Sequence, residues 1–467
     1  MKRLSLLIIT AVSFSLFFSC KKESFITSAD AGLSVSADSI KFDTVFTSVG
    51  SITQSFKIFN NNDQKLLLSK VKLMGSNSSA YKININGLAA NEADDVELAA
   101  NDSMYVFVTV TVNPTITNLP FIISDSVLIN YNGNNRFVQL QAYGQNAHFL
   151  QSQLVTSNTV WPNDLPYVIL GSLQVDTGIL LTIGQGCKIY SHANAPFIVD
   201  GSLIIDGTKG NEVIFAGDRL DDPYKNFPGC WPGIYFRKTS TDNRMRFTII
   251  KNAYQAVVVQ EPSLNANPKL TLHQCIINNA YDAGLLSINS SIRADNTLIS
   301  NCGKNINLVL GGNYVFTNCT VASYSNSFVL HKTPVLVANN FADQNGSTIT
   351  ADMNAIFNNC IFWGDDGLIE NEVIVDKQGS NVFNVLFDHS LVKAIADPSF
   401  STLNAVIKNI DPVFDSIDVT HNYYDFRITR DPTAPGIDQG AATGFMNDLD
   451  NNTRSVGLPD LGSYEKQ

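Results

Sequence analysis

The sequence predicts an all-β protein, a β-sandwich followed by a parallel β-helix, on three observations. Gly171-Ser-Leu-Gln-Val-Asp176 and Gly201-Ser-Leu-Ile-Ile-Asp206 are near copies thirty residues apart. Self-similarity at a period of about 20 to 50 residues marks a stacked-repeat architecture. A second series aligns further on: Met245-Arg-Phe-Thr-Ile-Ile-Lys251, His273-Gln-Cys-Ile-Ile-Asn278, Asp295-Asn-Thr-Leu-Ile-Ser300, Thr317-Asn-Cys-Thr-Val-Ala322 and Asn358-Asn-Cys-Ile-Phe-Trp363. Before these repeats, residues 33–149 read as short strands separated by turn residues, as in a sandwich.

In chain order, the first element is a secretory leader, residues 1–19. Lys2 and Arg3 precede an apolar run that ends at Phe18-Ser19. A basic n-region before a short apolar stretch is a signal peptide, and the run is too short to span a bilayer. Cys20 follows at the expected cut. The segment Phe17-Phe18-Ser19-Cys20 resembles the lipobox of bacterial lipoproteins, which implies lipidation of Cys20. Phe17 stands where Leu is usual, and Phe18 is bulkier than usual. Lys21-Lys22-Glu23 resembles part of a motif that sends such proteins to the outer face of the outer membrane. The resemblance implies a lipid-anchored protein of a Gram-negative outer membrane, with surface exposure as a further expectation. Residues 20–32 then read as a tether.

The segment 33–149 is expected to be an immunoglobulin-like sandwich of roughly 115 residues, with strands near 51–59, 65–73, 103–112 and 126–131. Alternation in the second half of 103–112 predicts one buried face. A short connection near 150–160 leads to the β-helix, residues 160–467. Its second repeat series carries a small column, Thr248, Cys275, Thr297, Cys319 and Cys360. Two residues on comes an apolar column, Ile250, Ile277, Ile299, Val321 and Phe362. Strand side chains alternate, so both columns share a face, and we place them inside. The steps are 27, 22, 22 and 41, the last being close to two coils. Gln274, Asn296, Asn318 and Asn359 are expected at a turn, stacked as an amide ladder. Lys251, Asn278, Ser300, Ala322 and Trp363 are expected to face outward.

The C-terminal text is Asp411-Pro-Val-Phe, Asp425-Phe-Arg-Ile, Pro435-Gly-Ile-Asp-Gln-Gly440, Asp448-Leu-Asp-Asn-Asn-Thr-Arg454 and Asp460-Leu-Gly-Ser-Tyr-Glu465. It resembles the closing segment of bacterial right-handed β-helix proteins of the pectin-lyase-like type, with the pattern DPxF, DFRL, SPAIDxG, DxxGxxR and DIGAYE. Ala434, Gly436, Asn451 and Ser463 depart from it. With the Gly-Ser-Leu coils and Trp231-Pro-Gly-Ile-Tyr-Phe236, the resemblance covers residues 160–467. It implies a right-handed, exported β-helix, as does the general hand of parallel crossovers.

Composition narrows the function. The net charge is −11, and losing Lys2 and Arg3 takes it to −13. Such a surface repels phosphate backbones, so nucleic acid is not an expected partner. Beyond Cys20 there are six cysteines, Cys187, Cys230, Cys275, Cys302, Cys319 and Cys360, with no CxxC pair. Their spacing reads as core filling, and no metal site is expected. Whether Cys187 and Cys230 pair is left open. Asp448, Asp450 and Asn452 begin like a calcium loop, but Thr453 and Pro459 stand where Gly and Glu are required. A terminal turn in which Arg454 pairs an acid is expected instead.

The acidic insertion 218–231 holds Asp218, Arg219, Asp221, Asp222, Tyr224, Lys225 and Trp231. Carboxylates bind sugar hydroxyls and aromatic faces stack on C–H faces, so Asp218, Arg219, Asp221, Asp222, Tyr224 and Trp231 are the candidate ligand-binding set. A packed loop with Trp231 buried and the acids solvated is the alternative. Arg246, His273 and Asp295 form a further polar column suited to acid–base work, or one of ordinary turn residues. No catalytic residue is assigned. The expected function is a membrane-anchored envelope protein that binds or presents to carbohydrate without catalysis and without a cofactor. A polysaccharide lyase or glycoside hydrolase acting on an acidic, plant or host glycan is the second reading, and only the lyase would call for calcium. A structural envelope component is the third.

Overall fold

The structure, a computed structural model, describes residues 24–46, 51–112, 121–365, 368–454 and 457–467. The leader and Cys20 lie outside the described residues. The chain divides into two units, residues 1–146 and 147–467, and it is all-β. Its helical residues among those described are two short 3-10 turns, Ser76–Ser78 and Tyr224–Asn226.

The first unit is a sandwich of a six-stranded and a five-stranded sheet. Strand Ser103–Val110 shows its logic. Met104, Val106, Val108 and Val110 are buried, while Tyr105 and Phe107 face water. Asn132 and Gly133 both have positive φ and join Phe121–Tyr131 to Asn134–Gln145 in a two-residue hairpin, the geometry that matches strand twist. The core between the sheets is aliphatic, with Phe42, Phe56 and Tyr81 as its large members.

The second unit is a right-handed parallel β-helix, a 26-stranded parallel ladder wound in coils of three strands. Three interior files run along it. The first passes through Leu173, Phe197, Ile234, Val257, Leu285, Ile306, Leu336 and Val373. The second passes through Ile183, Ile205, Met245, Leu272, Ala294, Phe316, Phe357 and Phe387. The third is the expected apolar column, Ile250, Ile277, Ile299, Val321 and Phe362, each fully buried and in direct register with the next. The small column beside it is buried throughout. Where rings fall in one file they stack: Phe357 lies 4.8 Å from Phe387 and 5.4 Å from Phe316. All six described cysteines are free, and five are buried.

Four expectations change. The two Gly-Ser-Leu segments share the solenoid but not a file of it. Leu173 registers with Phe197, whereas Leu203 registers with Leu181. Their likeness is one of strand-start chemistry, since a coil here advances by 22 to 26 residues, not 30. The 41-residue step from Cys319 to Cys360 is one coil, because Val321 pairs directly with Phe362. The excess chain sits in residues 324–335 and in the hairpin Phe341–Gln344/Ser347–Thr350. Residues 150–160, expected as a connection, carry the strands His148–Val155 and Thr159–Trp161, which begin the ladder. Finally, Ser300 and Ala322 are fully buried and Trp363 is 8% exposed. The closing segment lays Phe426, Ile428, Leu449, Leu461 and Tyr464 over that outer face.

The amide positions do sit at a one-residue bend. Gln274, Asn296, Asn318 and Asn359 all have φ between 46° and 52°, the left-handed region that Asn tolerates. Only one rung is a direct amide contact, Asn359 Nδ2 donating to Asn318 Oδ1 at 2.9 Å. Asn296 accepts from Arg454, and Gln274 donates to the Asp448 carbonyl. Arg454 pairs Glu465 at 3.0 Å, so the expected terminal pairing is present.

Candidate functional site

The insertion 218–231 is largely satisfied by its own residues. Arg219 forks onto both oxygens of Asp221, at 2.7 and 2.8 Å, and lies 3.9 Å over the Tyr224 ring. That hydrogen bond holds the Asp221 carboxyl below its ordinary range. Asp222 takes Lys225 at 2.7 Å, and Asp218 takes His192 Nδ1 at 2.6 Å. Trp231 is a correction. It is fully buried, stacked 6.3 Å from Phe215, with Nε1 donating to the Lys251 carbonyl. It fills the coil interior and offers no face to a sugar. Tyr224 remains 40% exposed.

The more open chemistry lies on the outer face of the second file. Alternation puts Met245, Leu272 and Ala294 inside, so their neighbours point out. Two outward columns result. One reads Arg244, Thr271, Arg293; the other reads Asp206, Arg246, His273, Asp295, Thr317. Thr271 therefore has an arginine on each side, roughly 4.8 Å away by strand spacing. Among the described residues neither Arg244 nor Arg293 is in an ion pair, and both are exposed. Arg246 reaches Asp206 only at 4.0 Å, and its buried Nε has no hydrogen-bond partner among the described residues.

His273 stands two residues along the strand from Thr271. Its Nδ1 bonds Asp295 Oδ2, and Asp295 is only 3% exposed. The ring itself is half-buried. Asp242, Asn267, Pro268 and Phe445 complete a groove of about 780 Å³, with the Phe445 ring 6.4 Å from that of His273. Asn265 and Asn267 both donate to Asp242, at 2.8 and 2.7 Å, which pins the 261–268 loop as a wall. Beneath that loop Lys269 is fully buried. Its Nζ donates to the carbonyls of Arg237, Lys238 and Gln260, and burial pushes its pKa down to about 8. A second hollow of about 530 Å³ continues from Asn267, Pro268 and Arg293 toward Asn313 and Asn354.

The sequence column Arg246–His273–Asp295 is thus brought together. Arg244 and Arg293 were missed. Their signal was the alternation within Asn243–Arg246 and Ile292–Asp295, which is legible only once the register is known. Among the described residues no three or more His, Cys, Asp or Glu gather at metal-binding spacing.

No family model matches the chain, and no curated protein matches it. Among solved structures it is similar to the catalytic unit of a thermostable GH87 α-1,3-glucanase from Streptomyces thermodiastaticus, at 9% identity and a TM-score of 0.23, covering 79% of this chain and 91% of that one. It is also similar to a family 123 glycoside hydrolase from Clostridium perfringens, at 9% identity and a TM-score of 0.19, covering 26% of this chain and 30% of that one. A protein of unknown function from Porphyromonas gingivalis W83 matches at 9% identity and a TM-score of 0.18, over 27% of this chain and 60% of that one. The chain thus spans under a third of the length of that family 123 hydrolase. TM-scores this low lend nothing to the reading of the groove.

Proposed function

We propose that this is a lipid-anchored envelope protein, held at a Gram-negative outer membrane through Cys20, whose β-helix binds acidic polysaccharide in the groove of Arg244, Thr271, His273 and Arg293. One observation carries the reading: in a chain of net charge −11, three arginines converge on one outer face, two of them without an ion-pair partner among the described residues. Arginine forks match carboxylate geometry, and a Thr hydroxyl between them adds a donor. Phe445 offers an aromatic surface for a sugar C–H face. The anchor rests on the leader and Cys20, and the exported β-helix on its likeness to pectin-lyase-like lipoproteins in the closing segment.

A glycan array of uronate-bearing and neutral polysaccharides tests the groove. Retention of the uronate set, lost on carboxyl reduction of the same glycans, is the expected result. Equal retention of neutral glycans would sink it. Palmitate labelling that survives Cys20→Ala would sink the anchor.

A further inference from the structure

We infer that the groove is built for a polysaccharide in which the uronate alternates with a neutral, acetamido-bearing sugar, and that Asn313, Val315 and Asn354 seat that second unit. The inference rests on the binding reading above and narrows its ligand, since the uronate must first be held by Arg244 and Arg293.

The outer column that carries these arginines reads Ile204, Arg244, Thr271, Arg293, Val315 and Ile356, each in register with the next. Coils lie about 4.8 Å apart, close to the rise of one sugar unit in an extended chain. The cationic stretch is therefore one carboxylate wide, and aliphatic side chains stand on both sides of it. Arg246 shares a strand with Arg244 and adds no cation to either flank. Each flank carries an acid instead. Asp206 lies on the strand of Ile204, and Asp352 precedes the strand of Asn354. Asp352 is exposed and accepts from Asn381 Nδ2 and Val382 N, at 3.3 and 3.1 Å, with no cation paired to it among the described residues. A polymer with a carboxylate on every unit would set its further charges against Ile204, Val315 and these acids. No guanidinium is left there to take them, and an unpaired anion beside like charge is disfavoured.

The hollow beyond Arg293 suits a neutral unit. It shares Asn267, Pro268 and Arg293 with the arginine groove, so the two are continuous. Half-buried Val315 gives it an aliphatic floor. Two residues back along each strand, Ser291, Asn313 and Asn354 form a parallel column. Asn313 is exposed and Asn354 half-buried, and neither side chain has a hydrogen-bond partner among the described residues. Asn318 and Asn359, by contrast, bond each other. An acetamido group presents one N–H, one carbonyl and one methyl. A side-chain amide answers the first two, and an aliphatic floor the third.

The test measures dissociation constants by calorimetry on the purified protein with four size-matched glycans. Hyaluronate and chondroitin alternate uronate with an acetamido sugar. Polygalacturonate carries a uronate at every unit. Polygalacturonate reduced at half its carboxyls dilutes the charge without adding acetamido groups. We expect at least one alternating glycan to bind ~10-fold or more tighter than either galacturonate polymer, as two modest hydrogen bonds allow. Asn313→Ala and Asn354→Ala should each weaken that glycan by about fivefold and shrink its preference over polygalacturonate by the same factor. The preference is the readout because damage to the fold lowers both affinities together. Polygalacturonate bound as tightly as the alternating glycans overturns the inference and leaves the binding reading standing. So does half-reduced polygalacturonate that matches them, because charge spacing alone would then suffice. A preference that survives intact in both variants also overturns the inference. If none of the four binds, the binding reading falls, and this one with it.

Discussion

At the scale of single residues, the groove depends on charges left available. Arg244 and Arg293 are exposed, so each contact with a bound carboxylate is screened and worth about 1.5 kcal/mol. Arg244→Ala should therefore weaken binding of the preferred acidic glycan by ~10-fold, measured by calorimetry. The loss should shrink as salt rises, and Arg219→Ala should change little. A different charge balance governs the closing segment. Arg454 is the cation set among three buried acids, Asp448, Asp460 and Glu465. Burial, with Asp460 and Asp448 adding to it, pushes Glu465 up to about 7 against the pull of Arg454, and its Oε1 has no hydrogen-bond partner among the described residues. A group raised in the folded state stabilises fully below its unfolded value, near 4.5, and that contribution is lost as pH rises toward 7. We expect this part of the fold to be more resistant at pH 5 than at pH 7.5 by thermal denaturation. Glu465→Gln should flatten the profile over that window.

At the scale of elements, a one-residue bend needs a residue that accepts positive φ and also closes its own hydrogen bonds. Asn359 does both. Its Nδ2 reaches Asn318 and the Ala441 carbonyl at 2.9 and 2.8 Å, and its Oδ1 accepts from Ala441 N at 2.9 Å. Asn359→Ala should cost about 3 kcal/mol, combining lost buried bonds with left-handed strain. Asn359→Gly should recover roughly 1 kcal/mol of that. Urea titration distinguishes the two. The Thr/Cys and Ile columns were legible because residues in register on adjacent coils face the same interior, and that constraint writes one residue class into each position. The last step misled because an insertion adds length without adding a rung. Chain length between repeats counts loops as well as coils, and only hydrogen-bond register separates them.

At the scale of the whole β-helix unit, the closing segment ties distant coils together. Lys209 meets Asp450 at 2.7 Å, Arg454 meets Asn296 at 2.8 Å, and Ser463 N donates to Thr320 at 2.9 Å. A solenoid without such ties unfolds by nearest-neighbour steps. We expect these coils to exchange amide hydrogens as one cooperative block. Arg454→Ala leaves buried acids uncompensated, a cost of about 3–5 kcal/mol. It should expose the strands Leu298–Ser300 and Thr320–Ser323 to exchange before the core of the second file. Unchanged protection there would show that the segment merely decorates the coils.

From sequence alone came the all-β class, the sandwich before the solenoid, the interior columns and the bend residues, because each is a local periodicity or a local backbone demand. The closing segment was also recognisable, but not what it covers. The tertiary structure decided which outer faces remain open. It buried Ser300, Ala322 and Trp363, drew Trp231 inward, and left Arg244, Arg293 and His273 on one groove. The physical reason is that alternation tells a side chain only whether it points in or out. Whether the outside is water depends on segments far along the chain folding back across it.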